Sequence, residues 1–305
     1  MVGERFTASF QRTLRIPDDG REYPLPPGLG RFPLLRVADY AERLPADWGR
    51  DDLFLPMYQR EALWLGFDGA TWKPNAVKVG IGGVNAVSGG PWDDELHADP
   101  QDYLVCPDQP WLDGINVGDG RIRQFVAMPL GAGYAVEAQV TGAETVGGIQ
   151  LLVFEPKPGR FPDQPPPAPD FGPMMAAPAG PAMGLGAGGV MRQKIYPDEY
   201  GIDTWDPNER GGVVVHILNS EWYRALTGRE PPPTPISAAT YAQYGLPWFD
   251  LYDESRATLA GADRLRSVKS VDQRDAERGL GDESEPSLNV EELPVRKLTP
   301  PDNPS

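Results

Sequence analysis

The sequence predicts a mainly β protein of the α+β kind: an antiparallel β-sandwich or open barrel core, a few short helices, a Pro/Gly-rich linker and a disordered C-terminal tail. Three observations predict it. Residues 5–16 alternate, with Phe6, Ala8, Phe10, Leu14 and Ile16 on one side and Thr7, Ser9, Gln11, Thr13 and Arg15 on the other. This period of two is that of a half-buried strand. RIRQFVAMPL, YAVEAQVTG and GGIQLLVFEP are β-branched runs separated by short gaps that hold glycine, the pattern of an antiparallel meander over about 122–130, 134–141 and 148–155. GGVVVHIL, further on, is a strongly β-branched strand.

The elements follow in order. Pro-Asp-Asp-Gly at 17–20 closes the first strand, because Pro fixes φ, Asp bonds locally and Gly accepts positive φ. YPLPPGLGRFPL (23–34) is too rich in proline for a central strand and reads as an extended arm. A short helix is expected over 37–43. A second is expected over 57–67, MYQREALWLGF, where Tyr58, Ala62 and Leu65 recur at helical spacing behind Pro56. AVKVGIGGVNAV and YLVC return to strand character. The region 1–157 therefore reads as a β-rich core domain.

Composition then shifts. Residues 158–191 are crowded with Pro, Gly and Met and read as a linker, in polyproline form where prolines cluster. Residues 192–254 read as a small α/β extension packed on the core. There Ser220 is placed to cap the helix SEWYRALTG, Gly228 to stop it, and Ser237 to cap a second short helix. Past 255 aromatics vanish and no apolar face is sustained, so 255–305 reads as a disordered tail.

The totals exclude several classes. The net charge is -16 over 305 residues; sequence-independent nucleic-acid binding needs clustered Lys and Arg, and anionic membranes repel such a surface. No apolar run approaches the roughly 18 residues of a membrane span, and the N-terminus lacks the cationic and apolar pattern of a signal peptide. The single cysteine, Cys106, admits no intrachain disulfide, which suits a reducing compartment and a cytoplasmic location. Gly and Pro number 35 each, which explains the modest apolar fraction.

Chemistry has few places to reside. There are two histidines, His97 and His216. No nucleophile elbow and no phosphate-binding loop is present. MGLGAGG (183–189) has glycines spaced like half a dinucleotide fingerprint but lacks the flanking strand and helix, so a flexible loop is expected and no cofactor. PWDDELHADP gathers Asp93, Asp94, Glu95, His97 and Asp99, a candidate set for a hard cation, although the EF-hand spacing is absent. CPDQPWLDGINVGDG carries Asp108, Trp111, Asp113, Asn116 and Asp119, and is the first choice for ligand binding: a Trp beside carboxylates suits a ring that stacks and hydroxyls that need acceptors.

The phrases MYQREALWLGF, YLVCPDQPWLDGI, IRQFVAMPLGAGYAVEAQVTG and GGVVVHILNSEWYRALTGR resemble an uncharacterised family of bacterial and fungal proteins with no assigned function. The resemblance spans about residues 5–254 and implies no catalytic or binding residue. The expectation is a non-catalytic protein that binds a ligand, or a protein partner through its Pro-rich and aromatic segments. The alternatives are a carboxylate-dependent, glycoside-type hydrolase and a metal-stabilised structural protein.

Overall fold

The computed structural model describes residues 5–164, 182–250, 256–280 and 284–297. Nine strands carry the architecture: β1 Phe6–Thr13, β2 Gly28–Arg31, β3 Leu53–Met57, β4 Ala62–Gly69, β5 Asn75–Ile81, β6 Arg121–Met128, β7 Ile149–Pro156, β8 Ala182–Arg192 and β9 Trp205–Asn219. With shorter strands they form one 15-stranded sheet, ordered β2-β1-β4-β6-β8-β9-β7-β5 and ending at Val84–Asn85. Neighbours along this path are antiparallel; β3 joins β9 in parallel, with Val215 opposite Leu53. The fold is thus mainly antiparallel β with few helices, as the alternation predicts.

The sheet has two halves, linked where Ala182 and Met183 of β8 meet Leu218 and Ile217 of β9. Both halves turn one face to the same core. Phe6, Phe10, Leu63 and Leu65 from one half pack with Val77, Val79, Leu151 and Val215 from the other. The opposite face of the second half is covered as well, by Tyr103, Val105 and Trp205 over Ala76, Leu152 and Phe154. A strand buried on both faces needs no strict alternation, which explains the near-continuous apolar runs of β5 and β7.

Several sequence expectations differ. The helix expected over 57–67 is instead the end of β3, a turn and β4. Arg60, at φ 68, makes that turn. The residues satisfy both periods, but Leu63, Leu65 and Phe67 point inward and pairing with β1 along Phe6–Thr13 decides for the strand. The strand expected at 134–141 is helix α1, Val136–Thr141, closed by Gly142 in the left-handed region. The meander is therefore not formed: β6 lies between β4 and β8, while β7 lies between β9 and β5.

The linker expected over 158–191 ends early, since β8 begins at Ala182 and runs through the middle of the sheet; residues 165–181 lie outside the described residues. β8 and β9 complete the same sheet, so it does not close at residue 157. MGLGAGG is part of β8, and not a flexible loop, because its glycines admit close neighbours. A Cβ on Gly186 would stand 3.2 Å from both the Tyr134 carbonyl oxygen and Val271 Cγ2. Val271 opens the helix Val271–Glu277, within the segment expected as a tail. This helix is tied down by ion pairs of Asp272 with Arg15 and of Asp275 with Arg60, while residues 251–255, 281–283 and 298–305 lie outside the described residues.

Two capped helices match their signals closely. Ser220–Thr227 ends at Gly228 in the left-handed conformation, with Asn219 accepting the capping bond from the Glu221 N–H in place of Ser220. Ser237 caps Ala238–Gln243 by accepting from the Thr240 N–H. Among the described residues, no helix is long and apolar enough to cross a membrane.

Candidate functional site

The strongest candidate is a pocket on the outer side of β4. Where Leu63 and Leu65 turn to the core, Trp64 between them turns outward. The short strand Trp111–Leu112 pairs with β4, placing Trp111 opposite Gly66. Gly66 is required there: a Cβ would come within 2.7 Å of Ser9 Oγ and 3.2 Å of Trp64 Cζ3. The two indoles meet edge to face, centroids 6.3 Å apart and planes at 68°.

A third ring, Phe249, comes from far along the chain. It belongs to the strand Trp248–Asp250, which pairs in parallel with Val295–Lys297 in a separate ribbon. Two backbone hydrogen bonds, Leu25 N–H to the Phe249 carbonyl at 2.8 Å and Phe249 N–H to the Leu25 carbonyl at 2.9 Å, fix it to the N-terminal arm. Leu25, Pro26, Pro27 and Gly28 complete a pocket of about 190 Å³. The arm expected to be an extended surface segment is thus a wall, and its prolines stiffen that wall.

Asp113 is the one ionisable side chain of the lining. It is 3% exposed. Gln193 holds it at two points, accepting from its backbone N–H at 2.9 Å and donating Nε2–H to Oδ2 at 2.6 Å. Its Oδ1 has no hydrogen-bond partner among the described residues and is not closed off from solvent. Burial pushes the carboxyl up to about 7, with only the Gln193 hydrogen bond opposing. A carboxyl balanced in this way is neutral or charged according to what occupies the pocket.

The structure brings together Trp111 and Asp113 of the sequence candidates and separates the others. Asn116 is buried beyond the pocket, its amide donating to the Val87 and Ala260 carbonyls at 3.3 and 3.2 Å. Asp119 sits at a turn with φ 57 and pairs with Arg121 at 3.0 Å. Asp108 is half-buried toward Arg256, Glu199 and Asp198; burial raises its pKa and the Arg256 charge opposes. The carboxylate pair needed for glycoside chemistry is not formed by Asp108, Asp113 and Asp119 in this pocket. Trp64, Phe249 and Gln193 escaped the sequence reading.

The acidic loop has a different centre. Asp93 and His97 converge with Asp102, their ligand atoms within 4.8 Å of one another, while Asp94, Glu95 and Asp99 are exposed and stand apart from that group. Asp94 reaches Arg210 at 3.3 Å instead. The decisive residue is Lys78 of β5, 0% exposed. Its ammonium lies 2.6 Å from Asp93 Oδ1 and 2.8 Å from Asp102 Oδ2, donates to the Glu95 carbonyl, and stands 5.6 Å from the Trp92 ring. Burial opposes ionisation of Asp93, but the Lys78 hydrogen bond, the Glu95 N–H and the nearby charges hold its pKa below the ordinary value. The seat a metal ion would take between these carboxylates is filled by the chain's own cation.

His216 is remote from both places. Its Nε2 bonds Asp52 at 2.9 Å and its ring stacks on Trp48 at 3.8 Å; burial lowers its pKa and Asp52 opposes. Cys106 is buried with its thiol directed at the Gln109 carbonyl, 3.4 Å away. Burial and the Asp108 charge raise it well above the usual thiol range, the opposite of an activated nucleophile.

Comparison with protein-family models, with curated proteins and with solved structures finds no match to the chain.

Proposed function

We propose that this protein is a small-ligand-binding protein whose site is the Trp64–Trp111–Phe249 pocket. One observation carries the reading: three aromatic rings line one pocket with a carboxyl group that is 3% exposed and keeps one oxygen without a protein partner. Binding pockets pair apolar walls with a few placed polar groups. The pocket is smaller than the roughly 300–1,000 Å³ typical of drug-sized ligands, so the occupant is a small molecule or a compact headgroup.

The test is 19F NMR on protein labelled with fluorotryptophan, the two signals assigned with Trp64→Phe and Trp111→Phe. Small fragments should move the Trp64 and Trp111 signals together, and Trp111→Ala should abolish the response. Fragments that move only the other tryptophans would overturn the reading.

A second reading, contact with a protein partner, is favoured by the exposed Tyr244, at 74%, with Ile236 and Leu246 exposed nearby in sequence. Aromatic residues of this kind anchor interfaces. Hydrogen-exchange protection of residues 236–246 in native extract, lost on purification, is its expected sign.

A further inference from the structure

We propose that the pocket takes a small organic cation bearing a methylated ammonium group, seated against the Trp64, Trp111 and Phe249 rings and paired with the free Asp113 oxygen. The proposal rests on the reading of the pocket as a ligand site and adds the chemical class of the ligand.

The comparison among buried acids supports it. Five Asp or Glu residues are buried among the described residues: Glu61, Asp102, Asp113, Glu137 and Asp275. Four have both oxygens engaged. Glu61 meets Arg12 and the Tyr58 N–H. Asp102 takes the His97 N–H on one oxygen and Lys78 on the other. Glu137 accepts from the N–H groups of Thr145, Val146 and Gly147. Asp275 holds Arg60 and the Tyr134 hydroxyl. Asp113 alone of the five has an unengaged oxygen; Asp18 and Glu285, less buried, also keep one oxygen without a partner, but of all these acids only Asp113 lines this pocket.

The surroundings define what complements that oxygen. Ring faces attract cations, most strongly those of Trp. The other lining side chains are aromatic, proline or leucine, so they supply no further acceptor. A primary ammonium would leave N–H groups unmet there, whereas methyl groups pack on the rings. A guanidinium would seek both carboxylate oxygens, and Gln193 holds one at 2.6 Å. A sugar would need several polar partners, and the wall offers this one acid. The net charge of -16 draws cations toward the surface over long range.

The experiment is calorimetric titration of the full chain with choline chloride and with its uncharged isostere 3,3-dimethyl-1-butanol. Choline is expected to bind at least roughly tenfold more tightly. Asp113→Asn should bring choline down to the level of the isostere and leave the isostere unchanged; Trp111→Ala should weaken both. In the wild-type chain, choline affinity should rise as pH passes from 6 to 8, since Asp113 ionises near 7, while the isostere stays flat. Equal binding of the two compounds would overturn the cation assignment and leave the pocket as a ligand site. Binding of neither would overturn both, and a flat choline pH profile would overturn the role of Asp113 whether or not the variant folds.

Discussion

Two of the buried carboxylates in this molecule, Asp102 and Asp113, meet the same physical problem in opposite ways. Around Asp102 the charge is answered from within. Lys78 extends from β5 into a fully covered position and bonds two acids at 2.6 and 2.8 Å. Around Asp113 the answer is incomplete: one amide, one free oxygen and three rings. A buried charge satisfied by the chain is architecture, since removing either partner strands the other. A buried acid left partly open faces outward in chemical terms. The contrast teaches that counting acids in a loop says little; what matters is whether the fold has already provided the counter-charge.

The largest effect should come from breaking the satisfied centre. Lys78→Ala leaves Asp93 and Asp102 without their cation and should cost about 3–5 kcal/mol in urea unfolding. In that variant zinc should raise the melting temperature, because Asp93, His97 and Asp102 remain within 4.8 Å of one another with the seat vacated. In the wild-type chain zinc should change little. A zinc response of equal size in both would erase the distinction.

Next comes the open centre. Asp113 is raised in the folded protein from 3.8 to about 7, so between those values the folded state binds the extra proton. Its contribution to stability is present below about pH 4 and is lost as pH rises through about 7. The full loss is roughly 4 kcal/mol. Glu61, also raised to about 7 by burial, adds a slope of the same sign. Asp113→Asn should therefore flatten, without abolishing, the decline seen by urea unfolding between about pH 4 and about pH 7. An unchanged slope would mean that Asp113 is charged and answered like Asp102.

Smaller effects sharpen the boundary. Phe249→Ala removes a half-buried ring and should cost about 1–2 kcal/mol, yet it should lower affinity for any pocket ligand by far more than it lowers the melting temperature. Asp94→Ala, in the same loop as Asp93, should stay within about 0.5 kcal/mol in urea unfolding, because its bond to Arg210 is on the surface. A cost comparable to that of Lys78→Ala would show that exposure does not separate these acids.

Much of the β character was legible in the residues. The alternation of residues 6–13 became β1, and the cap-and-glycine signals became Ser220–Thr227 and Ala238–Gln243. What failed did so for identifiable reasons. ALWLGF satisfies helix and strand periods at once, and only pairing with β1 separates them; Trp64 was lost with that assignment. YAVEAQV is apolar at both spacings, and Gly142 in the left-handed region closes it as a helix. The glycines of β8 look like loop residues until the closeness of Tyr134 and Val271 is known. Trp111 and Asp113 could be read together because they share a loop. Gln193 and Phe249 reach them only through the fold, as Lys78 reaches Asp102, and no local spacing announces such partners.

The ribbon that carries Phe249 has a consequence for how the protein is made. The aromatic pocket draws on residues 25–28, 64, 111, 113 and 249, and the strand holding Phe249 is paired with Val295–Lys297. These sequence separations are large, and contacts of that span form late, because closing long loops precedes any reward from the contact. On a ribosome, Trp64 and Trp111 would emerge and fold well before their third ring arrives. Ligand occupancy would then report that this ribbon has joined the pocket, long after its first two rings were made.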